Sequence, residues 1–349
     1  MNFCGAEASV AVAMATTYCN PVWPGYFADP FVLRVGTEYF AYGTGDYLET
    51  AADGSIRAFM ILRSRNLAVW ERIGGALIPA AGSTGHSFWA PEVIEQGGSF
   101  FLFYSSAPPG RDEMHRVQVA RADNPVGPFE CVGAVLPGEE FTIDAHPFRD
   151  PADGRCYLFY ARDYFDERAG TGLAVVPLET GLLRTRGPSR VVVRANADWQ
   201  IYERDRLLYG EHWPAWHTVE GPCVVPHDGR YYCFYSGGNW QTEDYGIGYA
   251  VADHPLGPWR HGAESGPAVL RRRLPDVLGP GHNSYIVAPD GRTEFLVYHA
   301  WDADRSVRRM CIDVLSWTAA GPRCLGPTTD PQMLPEPRRL GSGVTRTPG

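Results

Sequence analysis

Cys223-Val-Val-Pro-His-Asp-Gly-Arg-Tyr-Tyr-Cys-Phe-Tyr235 is the stretch from which the fold is read. It runs as a short apolar strand, an Asp-Gly turn and an aromatic-rich strand. Asp-Gly tolerates the positive φ angles that a tight hairpin demands. Four other stretches repeat the pattern: Phe31-Val-Leu-Arg-Val-Gly-Thr-Glu-Tyr-Phe-Ala-Tyr42, Glu92-Val-Ile-Glu-Gln-Gly-Gly-Ser-Phe-Phe-Leu-Phe-Tyr104, Pro147-Phe-Arg-Asp-Pro-Ala-Asp-Gly-Arg-Cys-Tyr-Leu-Phe-Tyr160 and Ser284-Tyr-Ile-Val-Ala-Pro-Asp-Gly-Arg-Thr-Glu-Phe-Leu-Val-Tyr298. Phe40, Phe101, Tyr157, Tyr232 and Phe295 are equivalent points, 61, 56, 75 and 63 residues apart.

Outer-strand segments follow most of these hairpins. One contains Trp70, one contains Asn-Pro-Val-Gly-Pro-Phe129, and one repeats that as His-Pro-Leu-Gly-Pro-Trp259. Four strands per unit, five times over, predict an all-β, five-bladed β-propeller. A pair of β-sandwiches would not require five similar hairpins, and solenoid repeats are shorter. No long stretch carries helical periodicity. No internal linker is visible, so residues 1–334 read as one domain and residues 335–349, rich in Pro, Gly and Arg, as a loose tail.

Composition removes several functions. The 349 residues carry a net charge of −9, and every one of the 31 basic residues is Arg. Without lysine there is no P-loop lysine, no Schiff base and no anchor for pyridoxal phosphate. The acidic balance opposes a nucleic-acid or anionic-membrane partner. The longest mostly apolar run, residues 8–19, is too short and too polar to span a bilayer. Residues 1–7 lack the basic start of a secretion signal. The expected location is therefore cytoplasmic, or secreted if a signal has been removed. Eight cysteines form no Cys-x-x-Cys pair. They read as free thiols rather than zinc ligands or a disulfide framework.

In a propeller the first strand of each blade lines the axis. The residues that open those strands are Asp29, Trp89-Ala-Pro-Glu92, Asp144-Ala-His146, Glu220-Gly-Pro and Gly-His282-Asn283. Charges converging on an axis without compensation are costly, so their presence there points to chemistry. Two carboxylates across a pocket split a glycosidic bond when one is protonated and the other ionised. A third carboxylate near the acid keeps it protonated by like-charge repulsion. Asp29, Glu220 and Asp144 fit these three places. Trp89, Trp240 and Trp301 are candidate sugar platforms, although aromatic residues at blade junctions also serve as core.

Each of these residues has a plainer reading. Asp29-Pro and Glu220-Gly-Pro are turn signals taken alone. Glu211 competes with Glu220 but reads as a loop residue. Asp150 and Asp153 belong to a hairpin turn. Glu92 reads as a brace for the pocket as readily as a reacting group. His282 alone would be a hydrogen-bonded core histidine. The stretches 161–209 and 199–220 are candidates to wall the site.

The motifs Phe-Ala-Asp29-Pro, Trp89-Ala-Pro-Glu-Val, Ile-Asp144, Val-Glu220-Gly-Pro and Gly-Pro-Gly-His282-Asn-Ser together resemble glycoside hydrolase family 43, over roughly residues 20 to 330. The resemblance implies an inverting hydrolase of pentose-containing glycosides. Its substrate would be an oligosaccharide or polysaccharide. The first expectation is an α-L-arabinofuranosidase, with a β-xylosidase, an endo-arabinanase or a non-catalytic sugar-binding propeller as alternatives. It implies Asp29 as general base, Glu220 as general acid and Asp144 as the carboxylate that tunes the acid. It also implies sugar contact by Arg308, with Arg309 next, and a calcium or other ion held through water at His282. No cofactor is implied for the chemistry. Ala145 and His146 depart from the small residues often found there in relatives.

Overall fold

A computed structural model describes residues 17–263 and 266–335. The expected tail, from 336 onward, and the segment before residue 17 lie outside the described residues. Within them helix is confined to two single 3₁₀ turns, Asp112–Met114 and Asp198–Gln200. No helix among the described residues is long and apolar enough to cross a membrane.

The repeated hairpins form as read. In the stretch quoted first, His227 pairs with Arg230 across a two-residue turn. Asp228 and Gly229 both take positive φ, 45° and 73°, the geometry that matches the twist of the flanking strands. Blade one comprises Ala28–Val35, Glu38–Thr50, Ile56–Ser64 and Glu71–Ile78; blade two Ser87–Gln96, Ser99–Ala107, Arg116–Ala122 and Phe129–Ala134. Blade three comprises Thr142–Arg149, Cys156–Tyr164, Gly170–Pro177 and Arg190–Val193. Blade four comprises Val219–His227, Arg230–Gly237, Gly246–Ala252 and Arg260–His261; blade five Leu278–Val287, Glu294–Trp301, Arg308–Thr318 and Gly321–Cys324. Each is an antiparallel meander, and the outer strands of blades one and two also join through a parallel pair, Leu77 opposite Phe129.

The core is distributed between the blades. Five clusters of buried apolar side chains fill the five gaps between neighbouring blades. Val32, Tyr39 and Leu62 of blade one, for example, meet Phe295, Val297 and Ile312 of blade five, which closes the ring. Each large side chain so buried contributes about 1.5–3 kcal/mol. Asn20 adds a tether at this seam: its side chain donates to the Ile312 carbonyl at 2.8 Å and accepts from the Ile312 N–H at 2.9 Å. The seven described cysteines are free thiols, and five of them are buried.

Blade three carries an insertion. Ile201–Leu208 and Glu211–His217 form a β-hairpin that joins the blade where Gly170 pairs with His217. The region expected to wall the site is thus an ordered strand pair. Glu211 opens its second strand and is exposed, not on a loop.

Candidate active site

The site grows from a defect repeated in all five blades. Each innermost strand slips register, after Ala28, Trp89, Ile143, Glu220 and Gly281, and blade five slips once more after Leu278. The next residue, Asp29, Ala90, Asp144, Gly221 or His282, is left-handed, with φ of 49°, 46°, 56°, 59° and 50°. Such a bulge re-aims a side chain and frees a backbone N–H from the ladder. Aspartate tolerates this conformation better than most residues, which makes it a natural occupant.

The freed N–H groups are bound across the blade boundary. Ala90 donates to Thr44 Oγ1 at 2.7 Å, Asp144 to Ser105 Oγ at 3.1 Å, and His282 to Ser236 Oγ at 2.7 Å. Asp29 donates to His299 Nδ1 at 3.1 Å. Blade three has Ala161 at the equivalent place, opposite Ile143, and alanine has no acceptor. The Gly221 N–H turns instead to Asp144 Oδ2 at 3.0 Å. That exception ties the Asp144 carboxylate to the residue beside Glu220.

Asp29, Asp144, Glu220, His282 and Arg308 line one cavity of about 660 Å3, together with Trp89 and Trp240. The inserted hairpin contributes Tyr202, Arg206 and Tyr209 to the same wall. Tyr209 is latched by its hydroxyl to Asp163 Oδ2 at 2.6 Å.

Burial alone would raise the Asp29 carboxyl. The His282 ring, whose Nδ1 is 3.4 Å from Oδ1, and the Arg308 guanidinium at 3.4 Å reverse the sign. Asp29 is held well below the usual carboxylate range. Glu220 goes the other way. Burial drives it up, the nearby Asp29 charge adds to this, and the Tyr245 hydroxyl, donating to Oε1 at 2.6 Å, opposes it. The outcome is about 7. Asp144 is also pushed well above its ordinary value, by burial and then by Glu220. The cavity therefore holds one ionised carboxylate and a carboxyl pair that retains a proton near neutrality. Because Tyr245 donates to Oε1, the acidic proton of Glu220 belongs on Oε2.

Other expected residues sort differently. Trp240 lies under the Arg308 guanidinium, 4.2 Å from its ring centre. Trp301 is not among the cavity-lining residues. It stacks behind Trp240 at 6.0 Å and donates its indole N–H to the Trp240 carbonyl at 2.7 Å, so it is a support rather than a platform. Trp89 stacks on buried His115 at 3.6 Å, and burial holds that imidazole neutral, at about 3.

Glu92 is two residues beyond its bulge, one layer deeper than the cavity. It accepts from His146 Nδ1 at 2.7 Å, and His146 Nε2 accepts the Val224 N–H at 3.0 Å. The departure at His146 is thus a staple through blades two, three and four. Arg309 turns away and pairs with Asp302 at 3.3 Å. No group of three or more His, Cys, Asp and Glu that could hold a metal ion occurs among the described residues. His282 Nδ1 is directed at Asp29, and the ion expected through water at His282 finds no support among the described residues.

Tyr245 and His299 were not found from the sequence. A signal for His299 exists: it follows the last tyrosine of its repeat, as Ser105, Ala161 and Ser236 follow Tyr104, Tyr160 and Tyr235. Tyr245 has no comparable local mark.

A propeller with oppositely protonated carboxyls across one cavity has the apparatus of a glycoside hydrolase. The chain belongs to glycosyl hydrolases family 43, whose sequence model matches residues 18–322. It is 29% identical to a β-D-galactofuranosidase of Aspergillus niger over 325 residues, 86% of this chain and 83% of that protein. It is 26% identical to an extracellular exo-α-(1→5)-L-arabinofuranosidase of Streptomyces chartreusis, covering 79% and 83%. The crystal structure of a thermostable family-43 glycoside hydrolase superposes with a TM-score of 0.78 at 33% identity, covering 93% of this chain and all of that one.

Proposed function

We propose that the protein is an inverting, exo-acting α-L-arabinofuranosidase that acts on arabinose-containing oligosaccharides. The observation that carries the reading is that Asp29, paired with Arg308 and His282, and Glu220, bonded to the Tyr245 hydroxyl, face one cavity. Asp29 takes a proton from a water as its oxygen attacks the anomeric carbon. Glu220 Oε2 gives its proton to the glycosidic oxygen as the carbon–oxygen bond breaks. The sugar leaves with inverted configuration, and water restores both carboxyls. No cofactor enters this scheme.

Asp144 acts on Glu220 rather than on substrate, through the Gly221 tether and as the other half of one carboxyl pair. Trp89 offers a flat face to the sugar, Trp240 carries the Arg308 guanidinium, and Arg308 and His282 bracket Asp29 while facing the same space. The hairpin wall, which adds Tyr202, Arg206 and Tyr209 to the lining, supports an exo mode.

A second reading, β-D-galactofuranoside hydrolysis, is favoured by the Aspergillus niger relative. Both sugars are five-membered rings and differ in the exocyclic chain. A panel of p-nitrophenyl α-L-arabinofuranoside, β-D-galactofuranoside and β-D-xyloside discriminates, with proton NMR of the first product anomer. Release from the arabinofuranoside, with inversion and loss in Asp29→Ala, is the expected result. Retention of configuration would overturn the base assignment, and release from the xyloside alone would overturn the sugar.

A further inference from the structure

A rule runs round the ring of blades, and one seam departs from it with an imidazole. The residue paired with the last one before each bulge is Thr44, Ser105, Ala161, Ser236 or His299. Four of the five accept the bulge N–H of the next blade: Thr44 from Ala90, Ser105 from Asp144, Ser236 from His282 and His299 from Asp29. A hydroxyl is enough at three of these seams. The two exceptions to the hydroxyl, Ala161 and His299, precede blades four and one, which carry Glu220 and Asp29.

His299 is fully buried and is not among the residues that line the catalytic cavity. Its influence on the site therefore passes through Asp29. A bulge N–H freed from the ladder needs an acceptor, and His299 Nδ1 supplies it at 3.1 Å. Asp29 Oδ1 has donors of its own, Arg308 Nη1 and His282 Nδ1, each at 3.4 Å. Burial holds the His299 ring neutral, at about 4. A neutral ring that accepts at Nδ1 carries its proton on Nε2, and Nε2 has no hydrogen-bond partner among the described residues. A buried donor left unpaired is a cost that serine would avoid, so stability alone does not explain an imidazole here.

The ring is held in plane by Tyr245, parallel to it at 5.9 Å, with His282 on another side at 6.3 Å. Gly281, paired with His299, leaves room for this stack, because a Cβ there would run into the Tyr245 ring. The Ser284 hydroxyl, also from blade five, donates to the Pro30 carbonyl at 2.7 Å. Blade five thus grips Asp29-Pro30 on both sides and keeps Asp29 at its φ of 49°.

We propose that His299 is the positioning residue of the base: Nδ1 fixes the Asp29 bulge, and the ring spaces that bulge from Tyr245 and so from Glu220. The proposal rests on Asp29 as the general base.

The test measures kcat and KM on p-nitrophenyl α-L-arabinofuranoside. His299→Phe keeps the ring packing and removes the acceptor. It should lower kcat at least about tenfold, part of what a general base supplies, and leave KM within about threefold. His299→Asn loses the ring but returns an acceptor close to the place of Nδ1, and should recover about a third of the wild-type kcat or more. A residue that only fills space predicts the opposite order, with Phe the better replacement, and that order would overturn the proposal. Because His299 acts through Asp29, adding His299→Phe to Asp29→Asn should cost less than about twofold more; an undiminished loss would also overturn it. A readout without turnover is the tautomer. In protein labelled with 15N-histidine, the ring signals absent from His299→Asn should show a bare Nδ1 and a protonated Nε2 at pH 7. The reverse tautomer refutes the proposal, whether or not the wild type cleaves this glycoside. Full activity in Asp29→Asn would defeat the base assignment itself, whereas an inactive Asp29→Asn beside a fully active His299→Phe would defeat the positioning role alone.

Discussion

Tyr245→Phe gives the sharpest check on the acid. The Tyr245 ring is buried and stacks parallel to His299 at 5.9 Å. Phenylalanine keeps that packing and removes only the hydroxyl bonded to Glu220 Oε1 at 2.6 Å. This bond favours the ionised carboxylate, and the ionised acid is the inactive form. Without it, Glu220 holds its proton to higher pH, so the alkaline limb must move upward. A hydrogen bond to a charged group is worth about 1.5–3 kcal/mol, and about 1.4 kcal/mol corresponds to one pKa unit. The limb should therefore move by about one to two units, from its starting place at about 7. The assay is kcat/KM against pH on arabinobiose, whose sugar leaving group requires protonation; nitrophenolate does not. A stationary limb, or one that moves to lower pH, would refute Glu220 as the acid governed by Tyr245.

The other expectations concern the base, the staple and the ion. Asp29→Asn should lower kcat by about 10²–10⁴, the usual worth of a general base, while substrate affinity measured by calorimetry persists. Because Asp29 is held well below the ordinary carboxylate range, the acidic limb of the wild type should fall below about pH 4; a limb at pH 5 or higher would contradict the pairing with His282 and Arg308. His146→Ala leaves Glu92 and the Val224 N–H without their partner, and each buried group stranded costs about 1–3 kcal/mol. Urea denaturation should show that loss, whereas kcat at a temperature where the protein is folded should change little. Dialysis against a chelator should leave kcat/KM unchanged, and a loss restored by calcium would show that His282 serves an ion after all.

Much of the fold was legible because its causes are local. Asp228-Gly229 forms the expected hairpin through its own backbone preferences, and the pattern of apolar strand, turn and aromatic-rich strand repeats in every blade. Asp29, Asp144, Glu220 and His282 could be picked out because a repeat marks the ends of its own innermost strands. Glu92 stands beside them in the sequence because it follows a similar motif. A bulge is a fault in pairing with a second strand, so only that register separates Glu92 from the cavity by two residues.

Sequence by itself determined the five hairpins, the ring they build, the absence of lysine chemistry and the set of carboxylates that meet on the axis. Tertiary structure decided what each carboxylate is. Asp29 meets His299 from 270 residues away and Arg308 from 279, and Glu220 accepts its hydrogen bond from Tyr245, which lies just before the third strand of blade four. Trp301 and Trp240 looked alike in the sequence until one was found behind the other. The reason is physical: hairpin formation depends on neighbours along the chain, whereas proton affinity depends on charge and solvent within a few ångströms in space.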